Sequence, residues 1–479
     1  MSVQALDIAL SGLNASQSGL DAVSENLANA STPGYIAQTA DMGAVAGGPG
    51  PVGSGVEVSA ITLNNNQALT TLSQVTSAQA GQASSLAQAL QDAQSVFTDF
   101  PSSSTSTSSS SSATSANGNG LQAQLSTFWS DWSTVANSPG SLAARTSLIG
   151  AAQTVVDTLH SMSSGLATAA SSTQSELSQT VSQVNQQLGQ LASLNVAVLQ
   201  ANASGGGGAN ALVEQQVALA NTLASEIGAT NSTSSTGSMT LSVGGVTLVS
   251  AGSAATLSVS GTGAATTITA NGGPLSATTA VPVSSGQAAG LVQAVANDIP
   301  SWQASLDNVA SALGSTVNSQ LTSGVYWSPL GSSSATSSPG IAMFQASGGG
   351  AITASSIELN PAMTTNPATI AAGASASTGP LDGSNAQAVS NLAGSTSGAD
   401  SLYQALVGQA GADVQSAVAA QSAASQAATS AAAQASASEG VNTNSQLTNL
   451  LNYQQMYEAS GKVISTAASM FASLLAAVN

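Results

Sequence analysis

Both ends of this 479-residue chain carry apolar residues at alternating spacings of three and four. At the N-terminus the series runs Val3, Leu6, Leu10, Leu13, Gln17, Leu20, Ser24 and Leu27. At the C-terminus it runs Leu447, Leu450, Gln454, Tyr457, Gly461, Ile464, Ala468, Phe471, Leu475 and Val478. Such spacing predicts amphipathic helices with a heptad seam. Polar Gln17 and Ser24 interrupt the first seam. Leu451, Tyr453, Val463 and Leu474 widen the second, and Gly461 with Ala468 leaves room for a close backbone approach. The economical arrangement pairs the two helices antiparallel, away from the middle of the chain. The C-terminal apolar face is too wide for one partner, so assembly with other subunits would cover the remainder. The alternative is that both ends pack onto the central helices as ordinary core.

The first pattern stops at "NLANASTPGYI". Pro33 disfavours helix at Thr32, and Pro33-Gly34 suits the centre of a type II turn. Asn26 and Asn29 are placed to satisfy backbone groups as the helix ends. Asn26, Asn29, Thr32, Pro33, Gly34 and Tyr35 therefore read as an elbow.

Charge narrows the function classes. Asp, Glu, Lys and Arg make up 5% of residues, against about 25% in ordinary domains. Net charge is −18, with Arg145 and Lys462 the two bases. Such a surface neutralises no phosphates, which argues against nucleic acid and anionic lipid as partners. The chain has no Cys, no run of about 20 strongly apolar residues, and no basic leader followed by a compact apolar segment. His160, the one histidine, supports no multi-His metal site, and abundant serines make any Ser-His-Asp combination with Asp157 uninformative. "GGGG" lacks the Gly-Lys-Ser/Thr of a phosphate loop and reads as a turn. No catalytic, cofactor-binding or metal-binding residue is assigned. Arg145 has two readings: a surface residue, or a fork holding carbonyls or a carboxylate between helices.

The fold class expected is mainly α with inserted β lobes, α+β. Residues 1–40 form the N-terminal helix of an inner coiled-coil domain. Residues 41–230 begin a helical domain with an extended arm and a Ser-rich loop at 101–120. Within it, helices flank "NSPGS", another spans about 171–203, and one covers 209–227. A β-rich insertion at 231–284 precedes a return helix at 285–324. A second β or irregular segment fills 325–382. Residues 383–439 complete the helical domain, and 440–479 are the C-terminal helix of the coiled coil.

"SGLNASQSGLDAVSENLANASTPGY" and "GVNTNSQLTNLLNYQQMYEASGKVISTAASMFASLLAAVN" resemble the N- and C-terminal signatures of the bacterial flagellar rod, hook and hook-associated axial proteins. "FWSDWSTVANSPGSLAARTSLIGAAQTVVDTL" and "ANALVEQQVALANTLASEI" resemble the helical middle of the hook-associated branch. Asn444 and Ser445 replace the usual acidic pair before the last helix, which puts particular salt bridges in doubt. The resemblance implies an extracellular structural protein of the hook–filament junction, exported through the flagellar channel without a cleaved signal, and not an enzyme. It implies a ring of about eleven subunits. Implied partners are the hook protein, the next junction protein, and an export chaperone on the C-terminal helix. No cofactor, nucleic acid or membrane is implied. Leu6, Leu10, Leu13, Leu20, Leu27, Leu447, Leu450, Tyr457, Ile464, Phe471 and Leu475 would form the assembly interface. A hook or rod protein is the alternative, with a β-rich middle. A secreted enzyme or adhesin on a helical scaffold is the remote one.

Overall fold

The computed structural model describes residues 3–32, 34–45, 54–97, 120–203, 209–330 and 332–478. Pro33, the Ser-rich stretch at 101–119 and the "GGGG" turn lie outside these residues.

Helix α1 (Val3–Ala28) leads into an arm of antiparallel strands β1 (Gln38–Ala44) and β2 (Val56–Leu63). Helix α2 (Gln67–Gln94) follows, then α3 (Leu121–Asn137), α4 (Leu142–Ala203) and α5 (Ala209–Ile227). Asn66 caps α2, its side chain accepting from Ala68 N. Short strands come next: β3 (Thr230–Thr233), β4 (Met239–Val243), β5 (Val246–Ser250) and β6 (Ser253–Ala254) form one antiparallel sheet. β7 (Thr256–Ser260), β8 (Thr267–Asn271) and β9 (Thr279–Ala280) form another. The β4–β5 turn needs positive φ at both central residues, and Gly244 and Gly245 supply +54° and +83°.

The chain returns through α6 (Gln287–Gln293) and a π-helical turn at Ala294–Asp298 into α7 (Ile299–Ser323). Two small hairpins follow: β10 (Val325–Ser328) with β11 (Thr336–Pro339), and β12 (Phe344–Ala346) with β13 (Ile357–Leu359). After α8 (Pro361–Thr365) and α9 (Ser384–Ser390), α10 (Ala399–Glu439) and α11 (Thr443–Val478) complete the fold. The architecture is α+β, as the sequence predicts.

One expectation is corrected. The helices read as ending near Met162 and restarting near Ser171 are a single 62-residue α4. The intervening "SSGLATAASST" contains no proline, and its Thr168 and Thr173 hydroxyls bond back to Ser164 O and Ala169 O. Burial continues through Leu166, Thr173 and Leu177. At 1.5 Å per residue α4 is about 90 Å long, enough to serve two cores. Its first half packs with α3, α7, α10, β12 and β13 around Trp132, Trp302, Phe128, Phe344 and Tyr403. Its second half packs with α5 and the sheets of residues 230–281 around Leu188, Leu191, Leu223, Leu241 and Leu248. A chain this poor in aromatics concentrates them in the first core: Phe128 lies 4.8 Å from Trp129 and 6.0 Å from Phe344, ring to ring.

Candidate assembly interface

The two terminal helices pair antiparallel. Three contacts a heptad apart define the register: Gly12 opposite Ser460, Gly19 opposite Tyr453, and Asn26 opposite Gln446. A Cβ placed on Gly19 would lie 2.8 Å from the Tyr453 ring, so glycine is what lets that ring approach.

The pairing face of α1 is not the leucine seam. Its contacts with α11 fall on Gly12, Gly19 and Asn26, and the buried positions of α1, shared between α11 and the arm, are Ala9, Ala15, Ser16, Gly19, Ala22, Val23 and Asn26. Leu6, Leu10 and Leu27 are 43%, 49% and 40% exposed, Leu13 and Leu20 are half-buried, and the interrupting Gln17 and Ser24 face solvent. The physical reason is distance: small residues permit a close antiparallel approach, and leucines would hold the backbones apart. On α11, Gln446, Leu450, Tyr453, Ser460 and Ile464 are half-buried. Leu447, Leu451, Met456, Tyr457, Val463, Met470 and Phe471 remain exposed, Phe471 at 67%. The side chain of Leu475 lies outside those described. A Cβ on Gly461 would meet nothing within 4 Å, so the close approach expected there is found at Gly12 and Gly19 instead. The hairpin therefore carries two apolar stripes that its own pairing leaves uncovered.

The elbow is built around Asn26, which is fully buried. Its Nδ2 donates to Gln38 O at 2.7 Å, and its Oδ1 accepts from Gln38 N at 2.8 Å and from the Tyr35 hydroxyl at 3.0 Å. The sequence places Asn26 as a partner for its own helix end; it satisfies the first residue of β1 instead. Asn29 does cap: its Nδ2 donates to Glu25 O at 3.1 Å. Tyr35 N donates to Thr32 O at 3.2 Å, and Gly34 sits at φ +80°, the value the turn demands. Thr32 Oγ1 donates to Asn29 Oδ1 at 3.3 Å.

The outgoing and returning links run side by side. Ala37 N donates to Glu439 O at 2.8 Å, and Asn66 N to the Glu439 carboxylate at 2.7 Å. From the body, Asn210 of α5 donates to Ile61 O at 2.7 Å and to Gln38 Oε1 at 3.3 Å. The Tyr35 hydroxyl is pushed up to about 12, by burial first and then by the charges of Glu214 and Glu25, so it remains a donor. Burial also raises Glu214, against a lowering bond from the Gln38 amide, and the charge of Glu25 adds to the rise. On the arm, Val56 N donates to Ser11 Oγ at 3.1 Å, laying β2 along α1.

The residues weighed for chemistry have structural partners. The His160 Nε2 donates to Ile357 O at 2.8 Å, tying α4 to β13, while Asp157 accepts from Gln153. Arg145 is buried and acts as a fork: Nε and Nη2 donate to Pro139 O at 3.0 and 2.9 Å, and Nη1 to Ile370 O at 2.6 Å. Burial lowers its guanidinium to about 10, which leaves it charged at neutral pH. Among the described residues no cluster of three or more His, Asp or Glu is arranged to hold a metal, and no helix is long and apolar enough to cross a membrane.

Comparison with known proteins follows this layout. Residues 107–334 match the family described as the flagellar hook-associated protein FlgK helical domain. Residues 6–35 match the flagella basal body rod protein family, and residues 432–477 the flagellar basal body rod FlgEFG protein C-terminal family. No curated protein sequence matches the chain. Among solved structures, the flagellar hook junction protein FlgK from Burkholderia pseudomallei is similar in fold, with a TM-score of 0.60 at 15% identity. The match covers 75% of this chain and 98% of that one. Two axial-type ends enclose a FlgK-type helical middle: residues 107–334 belong to the FlgK helical-domain family of flagellar hook-associated proteins, and the two ends to the flagellar rod-type axial families.

Proposed function

We infer that the chain is a structural component of the bacterial flagellum at the hook–filament junction. There it is needed for filament assembly and for mechanical adaptation between hook and filament. The observation that carries this is the terminal hairpin, which pairs through small residues and leaves the stripe of Leu6, Leu10 and Leu27 and that of Leu447, Tyr457 and Phe471 uncovered. Apolar stripes of this length on an exposed hairpin are suited to burial against neighbouring subunits. Leu13, Leu20, Leu450, Ile464 and Leu475 complete the proposed interface. Residues 1–40 and 440–479 act as the inner domain, and the residues between as the outer body.

In this reading the subunits form a ring of about eleven. The ring binds the hook protein on one side and the next junction protein on the other, and an export chaperone holds the C-terminal helix before assembly. Export proceeds without a cleaved signal, and the protein performs no catalysis. His160 and the carboxylates bonded to Trp129 and Trp302 serve packing, which supports that reading.

Deletion of the gene is the test. Cells should keep their hooks and shed filament protein into the medium. Wild-type chain should restore filaments, and a Leu10→Asp, Phe471→Asp chain that folds should not. Normal filaments in the deletion strain would refute the assignment.

A further inference from the structure

We propose that helix α5 braces the elbow as a pH-dependent latch, holding the terminal hairpin against the helical body when Glu214 is protonated and releasing it when Glu214 is ionised. The hairpin is joined to the body through the links at Ala37, Asn64–Asn66 and Glu439–Gly440. These are bonded to one another: Asn64 N donates to Ala37 O at 2.8 Å, and Asn64 Nδ2 to Ser438 O at 2.9 Å. They continue directly into α2 and α10, so they join the hairpin to the body at one end. Helix α5 is not part of those links. It reaches the arm by side chains, through Asn210 on Gln38 and Ile61.

One turn along α5, Glu214 lies against the same elbow. Its Oε1 is buried without a hydrogen-bond partner. The titratable groups that act on it are Glu25 of α1 and Tyr35 of the elbow, while β1 offers the Gln38 amide and β2 the Ile61 carbonyl held by Asn210. No base faces it in this set. An ionised Glu214 is thus a half-buried carboxylate near a second carboxylate, with the Gln38 amide bonded to it and its buried Oε1 left unsatisfied. Protonation removes the repulsion and turns the group into a donor. The sign follows: burial is the largest effect and raises Glu214 in the closed joint, a bond from the Gln38 amide works against it, and the Glu25 charge adds to it, so the closed joint on balance binds the proton more tightly and is favoured as pH falls.

The inference concerns the single chain and holds or fails independently of its place in the flagellum. The chain contains no cysteine, so Ser193→Cys on α4 and Ser465→Cys on α11, both at exposed sites, take spin labels specifically. Distances between them in the full chain are measured at about pH 4.5 and about pH 8. The expected result is a narrow distribution at the lower pH and a longer, broader one at the higher. Glu214→Gln should stay narrow at both, and Asn210→Ala should be broad at both. A wild-type distribution that ignores pH, or a Glu214→Gln chain that responds as the wild type does, overturns the latch. If Glu214→Gln loses its helical circular dichroism, Glu25→Gln at the exposed α1 position decides. It should shrink the pH response, and an unchanged response overturns the proposal.

Discussion

At the scale of single residues, amides and one guanidinium do what ion pairs do in more highly charged proteins. An asparagine carries a donor and an acceptor, so it can close a ring with the N–H and C=O of one strand residue. Asn26 does this with Gln38, Asn185 with Leu257, and Asn195 with Met239. Asn318 does it with Phe344 and takes Met343 N as well. Each bracket ties a helix to a short strand with no change of charge. Arg145 performs the same task at the junction of α3, α4 and the segment after α8, on carbonyls alone. A lysine has no planar fork and cannot reach Pro139 O and Ile370 O together. Arg145→Lys should therefore lower unfolding free energy by about 2–4 kcal/mol, because buried carbonyls lose charge-assisted partners. Urea denaturation checks it; an unchanged midpoint would show that the fork contributes nothing.

At the scale of elements, helical periodicity makes α1, α5 and α11 legible, and the turn signals locate the strands of 239–250. Residues with strong apolar spacing announce a helix whatever they pack against. What the spacing does not carry is which face meets which partner. The leucines of α1 dominate the pattern, yet the hairpin closes on Gly12, Ser16, Gly19 and Asn26, which register as gaps in a hydrophobic count. The continuity of α4 is hidden for a related reason: between residues 163 and 173, Gly165 and the Ser and Thr residues interrupt the apolar spacing, and only the alanines and Leu166 favour helix. Just past the end of α2, Val96 packs on Gly165, 2.7 Å from where a Cβ would stand. The Asn brackets are hidden entirely, because their partners are 12 to 72 residues away. The hairpin register can be checked directly. A Cβ on Gly12 would stand 4.0 Å from Ser460 Cβ, within the range of about 3.5–4.5 Å that a disulfide spans. Gly12→Cys with Ser460→Cys should cross-link on mild oxidation, in a chain that offers no competing thiol. Electrophoresis without reductant reads the result. Failure to cross-link in a folded monomer would contradict the register that leaves the leucine stripe free.

At the scale of the whole molecule, the scarcity of charge has a consequence for acid. Several carboxylates are held by neutral donors: Asp400 by the Trp129 indole at 2.7 Å, Asp413 by the Trp302 indole at 3.0 Å, and Asp307 by Ala354 N at 2.8 Å. Burial, as the largest cause, raises Glu214, Glu226, Asp298 and Asp400, with Asp413 adding to the effect on Asp298. For such groups the folded chain holds protons that the unfolded chain releases. Their stabilising contribution is complete below the unfolded value and is lost as pH rises through the raised folded one. Asp382 runs the other way. Burial works to raise it, but bonds from Thr378, Ser384 and Ala374 together outweigh that and hold it at about 2. Its contribution is present above the ordinary aspartate value and is lost as pH falls toward 2. Four groups against one favour the folded state on mild acidification, and partial neutralisation of the −18 charge relieves self-repulsion in the same direction. The melting temperature at about pH 4.5 should equal or exceed that at about pH 7, and decline should set in only below about pH 4, where Asp382 takes up a proton in the unfolded chain but resists it in the folded one. Scanning calorimetry across that range decides the matter. A lower melting temperature at pH about 4.5 than at neutrality would mean that these four partly buried carboxylates do not govern the acid response.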